Sequence, residues 1–113
     1  MTEENAKAYE WYTPRAMRKI LEPIRGFEIP RTTLTYWRTV LDMRPSKDPL
    51  TKGLYSQDDL CILAGAIIWI DSDRPLPVYA SLIDQGYRLQ DVIPDISETL
   101  KLINILEVEK YAN

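Results

Sequence analysis

Apolar residues recur along this chain at helical spacing, and residues that start or stop helices separate the runs. In "YTPRAMRKIL", Thr13 stands where an N-cap belongs and Pro14 where a helix begins, which predicts a helix over about residues 14–21. On a helical wheel Ala16, Met17, Ile20, Leu21 and Ile24 share one arc, and Arg15, Arg18 and Lys19 share the other. "EPIRGFEIP" follows, and its Pro23, Gly26 and Pro30 are expected to end the helix and turn the chain. A second helix is predicted over about residues 30–42, with Thr33, Leu34, Trp37, Val40 and Leu41 facing inward. Its opposite face carries Arg31, Thr32, Thr35, Arg38 and Thr39, with Tyr36 on the border.

The next stretch, "MRPSKDPLTKGLYS", is rich in turn residues and predicts a small two-stranded wing that pairs Met43–Arg44 with Leu54–Tyr55. Ser56 and Asp59 then form an S-x-x-D variant of the capping box. Leu60, Leu63, Ala64, Ile67 and Ile68 make the helix they open, running to about Ile70, the core element. "DSDRPLP" breaks the chain, "VYASLIDQG" predicts a short helix closed by Gly86, and helix resumes from Leu89 with a last segment starting near Pro94. In that segment Ile96, Leu100, Ile103 and Leu106 mark one apolar stripe, and Leu102, Ile105 and Val108 a second. Two stripes on one terminal helix predict two partners, its own domain and a second subunit, so Ile96, Leu100, Leu102, Ile103, Ile105 and Leu106 are the candidate dimerisation residues.

With 113 residues and 45% hydrophobic content, the chain holds one compact core. The expected division is a flexible segment over 1–10, the main domain over 11–93 and the terminal helix over 94–113. The longest apolar run, "LCILAGAIIWI", stops at Asp71, short of the ~20 residues a membrane span needs, and the polar start lacks a signal-peptide pattern. The expectation is a cytoplasmic, nucleoid-associated protein without membrane contact. Cys61 is the sole cysteine and histidine is absent, so no internal disulfide, zinc site or histidine-dependent catalysis is expected. Cys61 reads as an inert packing thiol. With four glycines and no phosphate-binding loop, the reading is a protein without catalytic residues, metal or cofactor.

Charge changes the picture. The net charge is −3, which by itself argues against nucleic acid. Yet residues 15–52 hold nine Arg and Lys against four acids, a local +5, whereas residues 55–113 hold ten acids against four bases, a local −6. A basic binding surface backed by an acidic body explains this split better than scattered solvated charge.

The predicted order of helix, turn, helix, basic hairpin and capped helix is that of a winged helix-turn-helix, whose second helix enters the DNA major groove. "TTLTYWR", "MRPSKDP" and "GLYSQDDLCIL" together resemble the MerR family of bacterial transcription regulators, and "QGYRLQDVI" resembles a later element of that family. The resemblance covers about residues 11–93. It implies that Tyr36 lies against a DNA phosphate, that Arg44 contacts backbone or minor groove, and that Tyr55 supports the wing from below. The chain departs from the family pattern at Thr35, where arginine is usual, in the longer turn "EPIRGFEIP" and in the insertion "DSDRPLPVYAS". Arg31 and Arg38 are the physical substitutes for the missing arginine. The shared region ends about 20 residues before the last residue given, so no effector module and no small-molecule effector are expected.

The fold expected is therefore mainly α: a winged helix-turn-helix with a small β-hairpin wing and a C-terminal dimerisation helix. The function expected is binding of an inverted-repeat operator in duplex DNA as a homodimer, regulating transcription as a repressor. The candidate DNA-binding residues are Arg15, Arg18, Arg31, Thr32, Thr35, Tyr36, Arg38, Thr39, Arg44, Lys47 and Lys52. The competing readings are a protein-interaction module, such as an antitoxin or adaptor, and an excisionase-like factor that shapes DNA without regulating a gene.

Overall fold

The computed structural model describes the backbone of residues 11–111 and the side chains of residues 11–103. The flexible segment expected over 1–10 lies outside the described residues, as do the side chains of Ile105, Leu106 and Val108. The fold is mainly helical, with a two-stranded antiparallel sheet. A short strand β1 (Trp11–Tyr12) leads into α1 (Pro14–Arg25) and α2 (Arg31–Val40), and a loop then reaches β2 (Tyr55–Ser56). Four helices follow: α3 (Gln57–Asp71), α4 (Leu76–Asp84), α5 (Leu89–Val92) and α6 (Ile96–Tyr111).

Side-chain caps start α1 and α3 where the sequence places them. The Thr13 hydroxyl accepts from the Ala16 N–H at 3.1 Å, and Pro14 opens α1. At α3 the Ser56 hydroxyl accepts from the Asp59 N–H and the Asp59 carboxylate accepts from the Ser56 N–H, a reciprocal capping box. Two helices end through an aspartate in left-handed backbone. Asp42 has φ 52° and Asp73 φ 60°, and beyond each the chain folds back onto the helix it leaves, Met43 N–H to Arg38 C=O and Arg74 N–H to Trp69 C=O.

Helix α1 corrects one expectation. Pro23 does not end it; the helix runs on to Arg25, and Gly26 at φ 91° closes it by donating to the Glu22 carbonyl. In the last turn a proline removes one backbone donor, and here both Pro23 and Lys19, whose carbonyl loses that donor, are solvent-exposed. The turn that follows is held by side chains: Glu22 Oε2 accepts from the Ile29 N–H at 2.9 Å, and Arg25 donates to the Glu28 carbonyl at 3.0 Å.

The expected wing pairing is corrected as well. Met43–Arg44 forms no strand; β2 pairs instead with β1, Trp11 opposite Ser56 and Tyr12 opposite Tyr55. The reason lies in the donors. The Met43 N–H is spent closing α2 and Pro45 has none, so the segment has too few free groups for a ladder. Tyr12 and Tyr55 are both buried, so burial of both aromatic rings accompanies the alternative pairing.

Helix α3 is the centre of the core, with Leu60, Leu63, Ala64, Ala66, Ile67 and Trp69 buried. It packs against α1, α4 and α6. Gly65 permits the closest approach: a Cβ there would lie 2.5 Å from the Tyr79 hydroxyl and 2.8 Å from Leu89 Cδ1. That hydroxyl donates to the Ile62 carbonyl at 2.6 Å. On α6 the first expected stripe turns inward, Ile96 and Ile103 being buried in the chain's own core with Leu100 packed against it. Those two side chains are therefore not free for a second subunit. Leu102, of the second stripe, is exposed. No helix among the described residues is long and apolar enough to cross a membrane.

Candidate nucleic-acid interface

Helix α2 divides its residues as the wheel requires. Leu34 and Trp37 are buried, whereas Arg31, Thr32, Thr35, Tyr36 and Thr39 are exposed. The N-terminus of α2 carries no side-chain cap, and the first N–H groups of a helix favour an anion. Beside it a cleft of about 390 Å³ runs between α1 and α2, bordered by Arg15, Arg18, Arg31, Thr35 and Arg38. A second cleft of about 290 Å³, bordered by Thr35, Arg38, Thr39, Asp42 and Arg44, continues from α2 toward the following loop. Thr35 and Arg38 border both, so the two clefts form one surface carrying five arginines and one acid.

That acid is partly neutralised. Asp42 Oδ1 lies 3.3 Å from Arg44 Nε, and both side chains are largely in water, where such a pair is weak and readily exchanged for a phosphate. Among the described residues no ion pair engages Arg15, Arg18, Arg31, Lys47 or Lys52. Thr32, Tyr36, Lys47 and Lys52 are exposed but border neither cleft.

Arg38 differs from the sequence expectation. It is only half exposed; its Nη1 donates to the Tyr55 hydroxyl, its Nη2 donates to Thr35 Oγ1 at 3.3 Å, and its Nε is buried without a partner. The side chain that should point outward is thus drawn against β2. Thr35 Oγ1 also donates to the Arg31 carbonyl at 3.0 Å, and Thr39 Oγ1 to the Thr35 carbonyl at 2.9 Å. These back-bonds satisfy hydroxyls that would otherwise compete with the helix. They leave Thr32 as the threonine of this face without a hydrogen bond from its hydroxyl to α2.

Arg25 belongs to the basic stretch by sequence but not to this surface. Its guanidinium carbon lies 4.0 Å from the Phe27 ring centre and 5.4 Å from that of Trp37, stacked on aromatics. Sequence reasoning also missed the Arg38–Tyr55 contact, since no local pattern links residues 17 apart. Cys61 is half-buried, and burial, assisted by the Asp58 carboxylate, pushes its thiol above the ordinary value. That disfavours the reactive thiolate. Compared with known protein families, with curated proteins and with solved structures, the chain has no significant match in any of the three.

Proposed function

We propose that this chain is a winged helix-turn-helix protein that binds duplex DNA in a sequence-specific manner and represses transcription by occupying its operator. The observation that carries this reading is the continuous surface over α1, α2 and the following loop, where Arg15, Arg18, Arg31, Arg38 and Arg44 meet with one acid. A duplex presents a dense line of phosphates, and Arg15, Arg18 and Arg31, in no ion pair among the described residues and beside an uncapped helix end, match it. In this reading α2 enters the major groove, Arg31 and Thr32 reach base edges, and Arg15, Arg18, Tyr36, Arg44, Lys47 and Lys52 hold phosphates. The resemblance to MerR-type regulators supports the same assignment. Occupancy alone excludes polymerase, so repression requires no further activity.

The protein acts as a homodimer through the outward side of α6, where Leu102 is exposed. Two copies would set their recognition helices on half-sites about 34 Å apart or a multiple of that, giving an inverted-repeat operator. Leu102→Glu should then yield a folded monomer with much weaker operator binding. A protein-interaction module is the second reading, favoured by exposed Val78 and Tyr87 within the acidic half of the chain.

The test is selection from a randomised duplex pool, followed by salt titration on selected and random DNA. Lys47→Ala and Lys52→Ala should weaken both alike and lower the salt slope by about one unit each. If the protein binds no duplex at low salt, the DNA reading fails and the interaction-module reading replaces it.

A further inference from the structure

Leu50 is 86% accessible, the most exposed large apolar side chain among the described residues, and the DNA reading above leaves it without a role. Isolated surface leucines are ordinary; the setting of this one is not. Its loop is closed by backbone hydrogen bonds: Ser46 N–H to Leu54 C=O at 2.8 Å, Gly53 N–H to Ser46 C=O at 3.0 Å and Thr51 N–H to Asp48 C=O at 3.1 Å. Side chains tighten it further. Asp48 Oδ1 accepts from the Leu50 N–H at 3.0 Å, and the Ser46 and Thr51 hydroxyls lie 2.8 Å apart. The loop backbone therefore presents an apolar side chain to water at a fixed place, so little backbone entropy remains to be lost when it is covered.

Two further features say what covers it. Lys47 and Lys52 flank the tip, both exposed and neither in an ion pair among the described residues; the one acid between them, Asp48, spends an oxygen on the Leu50 N–H, so the loop keeps a net charge of +1. An apolar tip between two cations matches a partner that is anionic outside and apolar within, which is the chemistry of a duplex, with phosphates at the rim and stacked bases behind them. The loop is also anchored to the recognition helix, because Arg38 of α2 donates to Tyr55 at the loop's far end and Met43 at its near end donates to Arg38. Tip and helix thus approach DNA as one body.

Resting on the DNA reading, we infer that Leu50 enters the minor groove beside the major groove faced by α2 and wedges into a base step there, bending the operator. Pyrimidine–purine steps, TA and CA/TG, unstack most easily and are the steps it would select. Each of them contains an adenine. The probe is therefore the set of duplexes selected by the wild-type protein, with each adenine in turn replaced by 2-aminopurine, whose fluorescence rises when it is unstacked. Energy transfer between labelled duplex ends reads the bend, and anisotropy reads affinity on the same duplexes.

Wild type should raise the fluorescence at discrete steps and shorten the end-to-end distance. Leu50→Ala should lose both signals while Kd weakens by no more than about tenfold, and Leu50→Met should keep both. At saturation Lys47→Ala should still unstack the step although its affinity falls. If Leu50→Ala unstacks and bends as wild type does, or if wild type at saturation unstacks nothing, the wedge is overturned and the DNA reading stands. Failure to select or bind any duplex overturns both.

Discussion

The guanidinium of Arg38 donates to the hydroxyl of Tyr55 and lies with Cζ 5.1 Å from the centre of its ring. This contact joins the outward face of α2 to the buried start of β2, so the helix proposed to read DNA and the loop beside it share one fixed geometry. It also reassigns Arg38. A side chain held at Tyr55 and Thr35, with its Nε buried, positions the surface more than it explores bases. Tyr55→Phe should cost about 1–2 kcal/mol in urea denaturation, because it removes the acceptor of a charged donor. The same variant should bind selected and random duplexes more weakly by similar factors. A loss confined to the selected sequence would show that Arg38 reads bases after all.

Arg31 is the contrasting case. It is exposed at the first turn of α2 and engages no acid among the described residues. Arg31→Ala should leave stability within about 0.5 kcal/mol of wild type and cost about 1–3 kcal/mol on the selected duplex, with much less on random DNA. Parallel anisotropy titrations on the two duplexes give the comparison, and equal losses on both would make Arg31 a phosphate contact.

Gly65 marks a close contact between α3 and its neighbours. An added Cβ would meet the Tyr79 hydroxyl at 2.5 Å and Leu89 Cδ1 at 2.8 Å. Tyr79 is fully buried and held by its bond to the Ile62 carbonyl, so it cannot yield cheaply. Gly65→Ala should destabilise by about 1–3 kcal/mol despite the better helix propensity of alanine. Urea or thermal unfolding measures it, and a stabilised variant would contradict the packing.

Asp59 sets a pH dependence. Burial raises its carboxyl above the usual aspartate value, against the opposing pull of its hydrogen bonds to Ser56. A raised folded-state value means the folded protein holds the proton more tightly than the unfolded chain. The stability linked to this site is therefore fully present below the unfolded value and lost as pH rises through the folded one. Asp59→Asn keeps an acceptor for the Ser56 N–H but does not titrate, so wild type should lose stability relative to it as pH rises from the ordinary aspartate range through the raised folded-state value. Asp59→Ala, which breaks the capping box and does not titrate either, should cost about 1 kcal/mol at the acid end of the range and less as pH rises. Urea midpoints across that range give both results.

Local patterns determined most of the helices. Thr13 before Pro14, Ser56 three residues before Asp59, and Gly86 after α4 are signals read within one turn of chain, and each acts where it stands. The wheel of α2 likewise separates buried Leu34 and Trp37 from exposed Arg31 and Thr32, because a helix's own geometry fixes which side chains share a face. Tertiary structure decided what depends on partners distant in sequence. Tyr55 found Tyr12 rather than Met43–Arg44 because strand pairing needs free donors: the Met43 N–H is spent on Arg38 and Pro45 has none, and β2 pairs instead with the segment entering α1. Arg38 was drawn inward because a buried tyrosine 17 residues away offered a hydroxyl, and Ile96 and Ile103 went to the core because α6 packs on α1 and α3. A sequence states which side chains are apolar or charged and at what period; which of two possible partners each one meets is settled by the donors, acceptors and apolar area left when the whole chain packs.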